Sequence, residues 1–255
     1  MTRTRCRNTI RRFDLHLKDE KGEGEAGGER ADLSNFSPAK CKAIAWRKLT
    51  AITPRMNRFQ WDLRYPDAAE VTGFYVPIAA GGLTDEVAGP VVAPDTYQVT
   101  LDCAGHRSSQ SFSVALEPRI HTSQADLDAR LALEMQIHET LDALNKTIIR
   151  AILERDRLDK AVAGKKLGKS RAKRAIAALD AEIAKLVQLN TQSSESTLLH
   201  ETKLRSHLAY LQAEIGLAYV KPTAAQYAVY KELAGRAKSG EDKLESAIAA
   251  AAKLL

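Results

Sequence analysis

The chain has 255 residues, of which 44% are hydrophobic and 27% are charged, and this composition is typical of a globular protein. Aromatic residues are only 5%, and alanine and leucine are abundant, so we expect a large share of helix. No apolar run reaches about 18 residues, which argues against a membrane-spanning helix. The three cysteines, Cys6, Cys41 and Cys103, are too widely spaced for a zinc motif or a disulfide framework.

The formal net charge of +6 and the isoelectric point near 9.2 are compatible with an acidic partner. The excess is modest and lies mostly in the N-terminal segment and in one helical stretch, so we expect a solvated basic surface. Five arginines fall within Met1–Arg12, but no apolar segment follows them. We therefore predict no signal peptide, and the sequence leaves the compartment of the protein unknown.

Residues 1–55 are predicted to be an irregular basic segment with one strand. Apolar and polar residues alternate between Phe13 and Leu17, which predicts a strand over about residues 9–18. The following stretch, Lys18–Asp32, is rich in glycine and glutamate and has no aromatic or branched apolar residue. We expect it to be a flexible loop, because it cannot contribute to a core.

Residues 56–122 are predicted to form antiparallel strands with one buried face, since apolar and polar side chains alternate in three runs. The apolar members of these runs are Phe59, Trp61 and Leu63; Tyr97, Val99 and Leu101; and Phe112, Val114 and Leu116. Gly105 lies between the last two runs, so we expect them to pair as a hairpin. Together with the N-terminal strand, these runs predict a small β-sandwich of immunoglobulin-like type.

Trp61 is the aromatic residue of this region with the clearest possible role in ligand binding. Stacking on a sugar is one interpretation of it. We expect instead that Trp61 is a core anchor, because it shares a predicted strand face with Phe59 and Leu63. These side chains should then be buried against the apolar residues of the Tyr97 strand.

Residues 123–255 are predicted to form helices, each with a single apolar stripe. The first and longest helix begins with a capping-box-like pattern at Ser123 and Asp126. The last helix is predicted to begin at Thr223–Gln226 and to carry Tyr227, Tyr230 and Leu233 on its stripe. Short links between the striped segments predict an antiparallel bundle. The predicted fold class is therefore a multidomain α+β protein, in which an immunoglobulin-like antiparallel β-sandwich precedes an antiparallel helical bundle with a long first helix.

The sharpest electrostatic feature lies between residues 160 and 174, where the sequence has seven cations and no acid. They are Lys160, Lys165, Lys166, Lys169, Arg171, Lys173 and Arg174. Contact with phosphate backbones or with anionic head groups is one interpretation. No aromatic residues are interleaved, so base stacking is not supported and no clear nucleic-acid partner is predicted. We expect the stretch to be a solvated tip between two helices.

No catalytic, cofactor-binding or metal-binding constellation is predicted. His200 and His207 are seven residues apart, which separates them by about 10 Å along a helix and is too far for one metal ion. His138 lies beside the apolar stripe of the first helix, with Glu134 and Asp142 one helical turn away. We expect it to be a histidine at the edge of the bundle.

Two motifs of the predicted sandwich resemble a known signature. They are MNRFQWDLRYPDA at Met56–Ala68 and GPVVAPDTYQV at Gly89–Val99. Both are similar to the C-terminal region of bacterial sortilin-like proteins with a BNR-repeat β-propeller, which are often named glycosyl hydrolases. In that family an immunoglobulin-like domain and a helical tail follow the propeller. The resemblance extends over residues 56–255 and, more weakly, over residues 9–20.

The sequence departs from the family in three places and lacks the propeller. The region Asn35–Pro54 fits the family poorly, as an insertion or a divergent loop would. Arg55 and Asp95 stand where the family usually has glycine. Because any hydrolase activity of the family would belong to the propeller, no catalytic residue is carried over to this chain. Family members are often exported, whereas no export signal is predicted here.

The resemblance implies a non-catalytic accessory or interaction module, which needs no cofactor. Such a module would support a β-propeller domain or bind a protein partner. One alternative is a part of a glycosidase-like hydrolase whose catalytic propeller lies elsewhere. A second alternative is binding of anions or nucleic acid through the basic stretch.

Overall fold

The computed structural model describes residues 61–71, 88–103, 106–164, 168–188 and 200–255. The strand predicted over residues 9–18, the loop predicted at Lys18–Asp32, and Phe59 lie outside the described residues and stay predictions.

The described part of the chain is mostly helical and carries one small antiparallel sheet. Its strands are β1 (Asp95–Cys103) and β2 (His106–Val114). Its helices are α1 (Gln124–Ala163), α2 (Lys169–Leu186), α3 (Leu204–Gly216) and α4 (Ala224–Ala252). The prediction of a long first helix is confirmed, since α1 has 40 residues and is therefore about 60 Å long.

The start signals read from the sequence operate at two helices. The Ser123 hydroxyl accepts a hydrogen bond from the backbone N–H of Asp126 at 3.2 Å, and this satisfies a donor that the first turn of α1 leaves free. Thr223 and Gln226 form a complete capping box at the start of α4. By contrast, the residue that precedes α2 is Gly168, which provides no side-chain cap.

Helices α2 and α3 both run antiparallel to α1 and follow one another along it. Asp180 of α2 lies 3.3 Å from Arg155 of α1. Farther back along α1, Arg205 of α3 donates to Asn145 at 3.0 Å. At about 27 and 20 Å, the two short helices together pack along most of α1. The predicted antiparallel bundle would have each helix run opposite to the one before it. The observed bundle differs from this prediction, because α2 and α3 run in the same direction.

Helix α4 runs parallel to α1. The Thr140 and Tyr230 hydroxyls are 3.0 Å apart, and farther along both helices Arg150 forms a two-bond ion pair with Glu245. The bundle therefore has three helices in cross-section: α1, α4, and a column made of α2 and then α3.

The core of the bundle is formed by the predicted apolar stripes. From α1 it contains Leu133, Ile137, Leu141, Leu144 and Ile148; from α2, Leu179 and Ile183; from α3, Leu208 and Ile215; and from α4, Leu233, Ala237, Leu244 and Ala251. On α4 the buried positions are four, seven and seven residues apart, which is the heptad spacing of a coiled-coil seam. Tyr227, predicted in that stripe, is instead exposed.

Strands β1 and β2 form the predicted hairpin, with Tyr97 opposite Phe112. The second sheet of a sandwich is not seen among the described residues. Trp61 contacts both of these rings edge-to-face, at centroid distances of 5.8 and 6.2 Å, but it is only half-buried. Val99 and Leu101, predicted to be buried with it, are 54% and 57% exposed, so that prediction is wrong for the structure described.

The structure describes residues 61–63 of the strand predicted at Phe59–Leu63, and these residues do not form a strand. Leu63 has a φ of 59°, in the left-handed region that interrupts an extended strand. The turn is held by the Trp61 indole N–H, which donates to the Arg64 carbonyl at 3.0 Å. The Trp61 ring therefore covers the base of the β1–β2 hairpin, which we call the ribbon, and does not fill the centre of a sheet.

Candidate functional site

The two sequence motifs that carry the family resemblance pack against each other. The backbone N–H of Tyr65 donates to the Pro90 carbonyl at 2.9 Å, and the Arg64 guanidinium donates to the Gly89 carbonyl at 2.9 Å. A Cβ atom on Gly89 would lie only 2.1 Å from the Tyr65 carbonyl oxygen. The close contact of the two segments therefore requires glycine at this position.

The same segments join the ribbon to the bundle, in a region that we call the joint. Asp142 of α1 accepts from the Ala69 N–H at 2.9 Å, and Asn145 donates to the Ala69 carbonyl at 2.7 Å. Arg205 of α3 is fully buried and bonds to Asn145. Val71 is buried in the core of the bundle. The ribbon is therefore anchored to α1 by paired polar contacts and by apolar burial.

A buried ion pair lies at the joint. The Arg130 Nε and Glu134 Oε2 atoms are 3.5 Å apart, with the two side chains 3% and 4% exposed. The Arg130 guanidinium also lies 4.9 Å above the centre of the Tyr219 ring, in the geometry of a cation–π contact. Helix α3 ends beside this pair, since Arg130 reaches the Gly216 carbonyl at 3.4 Å.

The Glu134 carboxyl is the most strongly perturbed acid of the joint. Burial raises its pKa from 4.5 to about 7, and the neighbouring Arg130 and Arg64 guanidinium groups lower it by less. Removing the carboxylate from water thus outweighs its attraction to the two cations. Because Arg64 belongs to the ribbon side of the joint, this carboxylate is electrostatically coupled to both parts of the molecule.

Other buried polar atoms in the joint have no hydrogen-bond partner in the described structure. They are His138 Nδ1 and Gln212 Oε1. His138 was predicted at the edge of the bundle and is instead buried. The joint has the chemistry of a buried polar contact between two parts of a protein.

The ribbon has two chemically different faces. On one face the register places Tyr97 opposite Phe112, Val99 opposite Gln110, and Leu101 opposite Ser108. The other face has only polar side chains in its central positions, which are Thr96, Gln98, Thr100, Ser109, Ser111 and Ser113. Trp61 covers the base of the apolar face, and the face is exposed farther out, at Val99 and Leu101.

The predicted basic residues come together at the far end of the bundle. Lys160 lies in the last turn of α1, and the first two turns of α2 carry four more cations. They are Lys169, Arg171, Lys173 and Arg174. All five side chains are exposed. We call these five residues the basic tip; Lys165 and Lys166 lie outside the described residues.

The basic tip differs from the rest of the helices in how its charges are balanced. Within the described part of the chain, none of its five residues has an acidic partner within 4.0 Å. Most other cations of the helical region do have one. Such pairs are Lys146–Asp142, Arg150–Glu245, Arg155–Asp180, Arg157–Glu154, Lys185–Glu182, Arg236–Glu232 and Lys238–Asp242.

The histidines that were considered as metal ligands do not form a site. His207 is exposed, and its Nε2 lies 3.3 Å from the Thr202 hydroxyl. Across the described residues, no three His, Cys, Asp or Glu side chains are grouped so that they could hold one metal ion. No helix in the described ranges has the length and apolarity needed to cross a membrane.

The joint was not predicted from the sequence, although a signal was present. Arg130, Glu134 and His138 recur at four-residue steps on the face of α1 that also carries Leu127 and Leu141. Polar residues placed on an apolar stripe indicate a buried contact with another polar group. The sequence alone did not indicate which part of the chain provides that group.

No family model, curated protein or solved structure matches the chain. The resemblance to the C-terminal region of BNR-repeat proteins stays a prediction.

Proposed function

We propose that this chain is a non-catalytic accessory module that supports a β-propeller or binds a protein partner. The observation that carries the proposal is the joint. Asp142 and Asn145 bond to Ala69 and so fix the ribbon side to α1, and Gln212 of α3 donates to the Ala88 carbonyl at 2.8 Å. A ribbon fixed in this way to a 40-residue helix can hold a bound domain at a set distance and orientation.

The apolar face of the ribbon supports a finer proposal about the fold. A two-stranded ribbon is only marginally stable alone in water, and Val99 and Leu101 would be stabilised by a cover. We propose that a second sheet covers them and completes an immunoglobulin-like sandwich. Within this chain, the strand predicted over residues 9–18 is the candidate for the second sheet. It lies outside the described residues.

A photo-crosslinking amino acid at position 99 tests the fold proposal. We expect irradiation to join position 99 to a peptide from residues 9–18 of the same chain. The matched control places the crosslinker at Thr100, on the polar face, where we expect no such product. A product from position 99 that joins it only to another protein would contradict the sandwich and would identify the ribbon face as a docking surface.

Recovery of a partner tests the function. The full chain is tagged and purified from the cells that naturally produce it, and the complex is weighed by native mass spectrometry. We expect a β-propeller protein or another single protein in a fixed ratio to the chain. A variant with the joint disrupted, Gly89→Ala, should recover less partner, while the control Gly235→Ala should recover the same amount. Recovery of the chain alone would contradict the proposal.

A further inference from the structure

The cations of the basic tip lower the stability of the first turn of α2. Lys169 and Arg171 lie in the first turn of α2, which contains no acid and has Gly168 in place of a side-chain cap. Cations at a helix N-terminus are opposed by the helix dipole, whereas acids there are stabilising. Positive charge concentrated where it weakens the fold indicates that it serves an interaction with an external anion.

The position of the tip restricts the shape of that anion. The five cations lie where α1 ends and α2 begins, so they project from one end of an elongated bundle. Lys160 is 15 residues beyond Asn145 of the joint, or about 22 Å along α1. An end of this kind can rest on a flat charged surface without any groove that surrounds the ligand.

The chemistry of the side chains favours lipid head groups over nucleic acid. Arg171 and Arg174 line a shallow alanine-rich depression between α2 and α4, which lets their aliphatic stems lie on the protein while their guanidinium groups stay in water. The tip contains no aromatic or amide side chain of the kind that stacks on bases or reads their edges. Clusters of four to eight Lys and Arg residues are typical of contacts with anionic membrane surfaces.

We propose that the basic tip docks the bundle end-on against an anionic lipid surface. The proposal is independent of the accessory function. That function is argued from the joint and the ribbon, which lie along the N-terminal and middle parts of α1, away from the tip. Both contacts can form at once, because the tip and the joint are separated along the helix.

The test measures co-sedimentation of the full chain with vesicles at about 0.15 M salt, where screening acts beyond about 8 Å. One vesicle set is pure phosphatidylcholine, and the other contains about 30% phosphatidylserine. We expect binding only to the second set, with a steep loss as salt is raised. No binding to phosphatidylserine vesicles, or equal binding to both sets, would overturn the proposal.

Two triple variants with the same net charge locate the contact. The tip variant carries Lys169→Gln, Lys173→Gln and Arg174→Gln, and the control carries Lys221→Gln, Lys231→Gln and Lys243→Gln. At about a fivefold effect per cation, the tip variant should partition about a hundredfold more weakly. The control should stay close to the parent. An equal loss in both variants would mean that net charge alone drives binding, and would overturn the proposal.

Two further measurements complete the test. Circular dichroism and thermal melting should show that both variants keep the fold, since all six substituted residues are exposed. The one ion pair lost is Lys221–Asp126, a solvated contact of 3.9 Å that contributes little to stability. If a variant does not fold, Lys173→Gln and Lys231→Gln alone provide the same comparison. Short duplex DNA that binds the tip more tightly than the vesicles at the same salt would replace the lipid proposal with a nucleic-acid one.

Discussion

Replacing Glu134 with glutamine should stabilise the protein above neutral pH and leave its stability nearly unchanged in acid. The carboxyl is buried beside Arg130 at the joint, and burial raises its pKa from 4.5 to about 7. The folded state therefore binds this proton more tightly than the unfolded chain does. The stabilising contribution is complete below about pH 4.5 and is lost as the pH rises through about 7.

The size of the effect follows from the two pKa values. Each pH unit between them is worth about 1.4 kcal/mol, so the ionised carboxylate costs the fold about 3 kcal/mol at pH 8. Glutamine has nearly the same shape and stays neutral. We therefore expect Glu134→Gln to raise the free energy of unfolding by up to about 3 kcal/mol at pH 8 and by little at pH 4.5.

Urea unfolding of the parent and the variant at a series of pH values measures this difference. The control is Glu139→Gln, on the same helix but exposed, which should shift stability by no more than about 0.5 kcal/mol at any pH. A variant that is less stable than the parent at pH 8 would refute the reasoning. It would mean that the attraction of Glu134 to Arg130 and Arg64 outweighs the cost of burying the charge.

Four further changes test other parts of the structure. Gly89→Ala should lower stability by about 1–3 kcal/mol in urea unfolding, because its Cβ collides with a backbone oxygen. Gly235→Ala, which adds a Cβ in open space within a helix, should raise it by up to about 1 kcal/mol. Thr223→Ala should lower it by about 1 kcal/mol through loss of the capping box. Trp61→Ala removes two edge-to-face contacts, so hydrogen exchange should speed up in the ribbon while the protection of the bundle is kept. The isolated chain should not turn over a chromogenic glycoside; turnover that survives repurification and is abolished by a point mutation would contradict the proposed function.

Local features of this protein were readable from its sequence because the residues that decide them are neighbours in the chain. The Ser123 and Thr223 caps depend on groups three residues away, and the stripes of α1 and α3 repeat every three or four residues. The β1–β2 hairpin needs only two alternating runs around a glycine. Each of these predictions was correct because it required no knowledge of distant contacts.

Contacts between distant segments were decided only by the tertiary structure. The left-handed Leu63 interrupts the strand that alternation predicted at Phe59–Leu63. Val99 lies in a strand as predicted, but its side chain is exposed because no described segment covers it. The arrangement of the helices around α1 depends on the lengths of α2 and α3, which together extend along most of α1. The pKa of Glu134 depends on its burial and on Arg64, which is 70 residues away in the chain. Periodicity shows that a face must be buried, but which surface covers it is set by the packing of the whole chain.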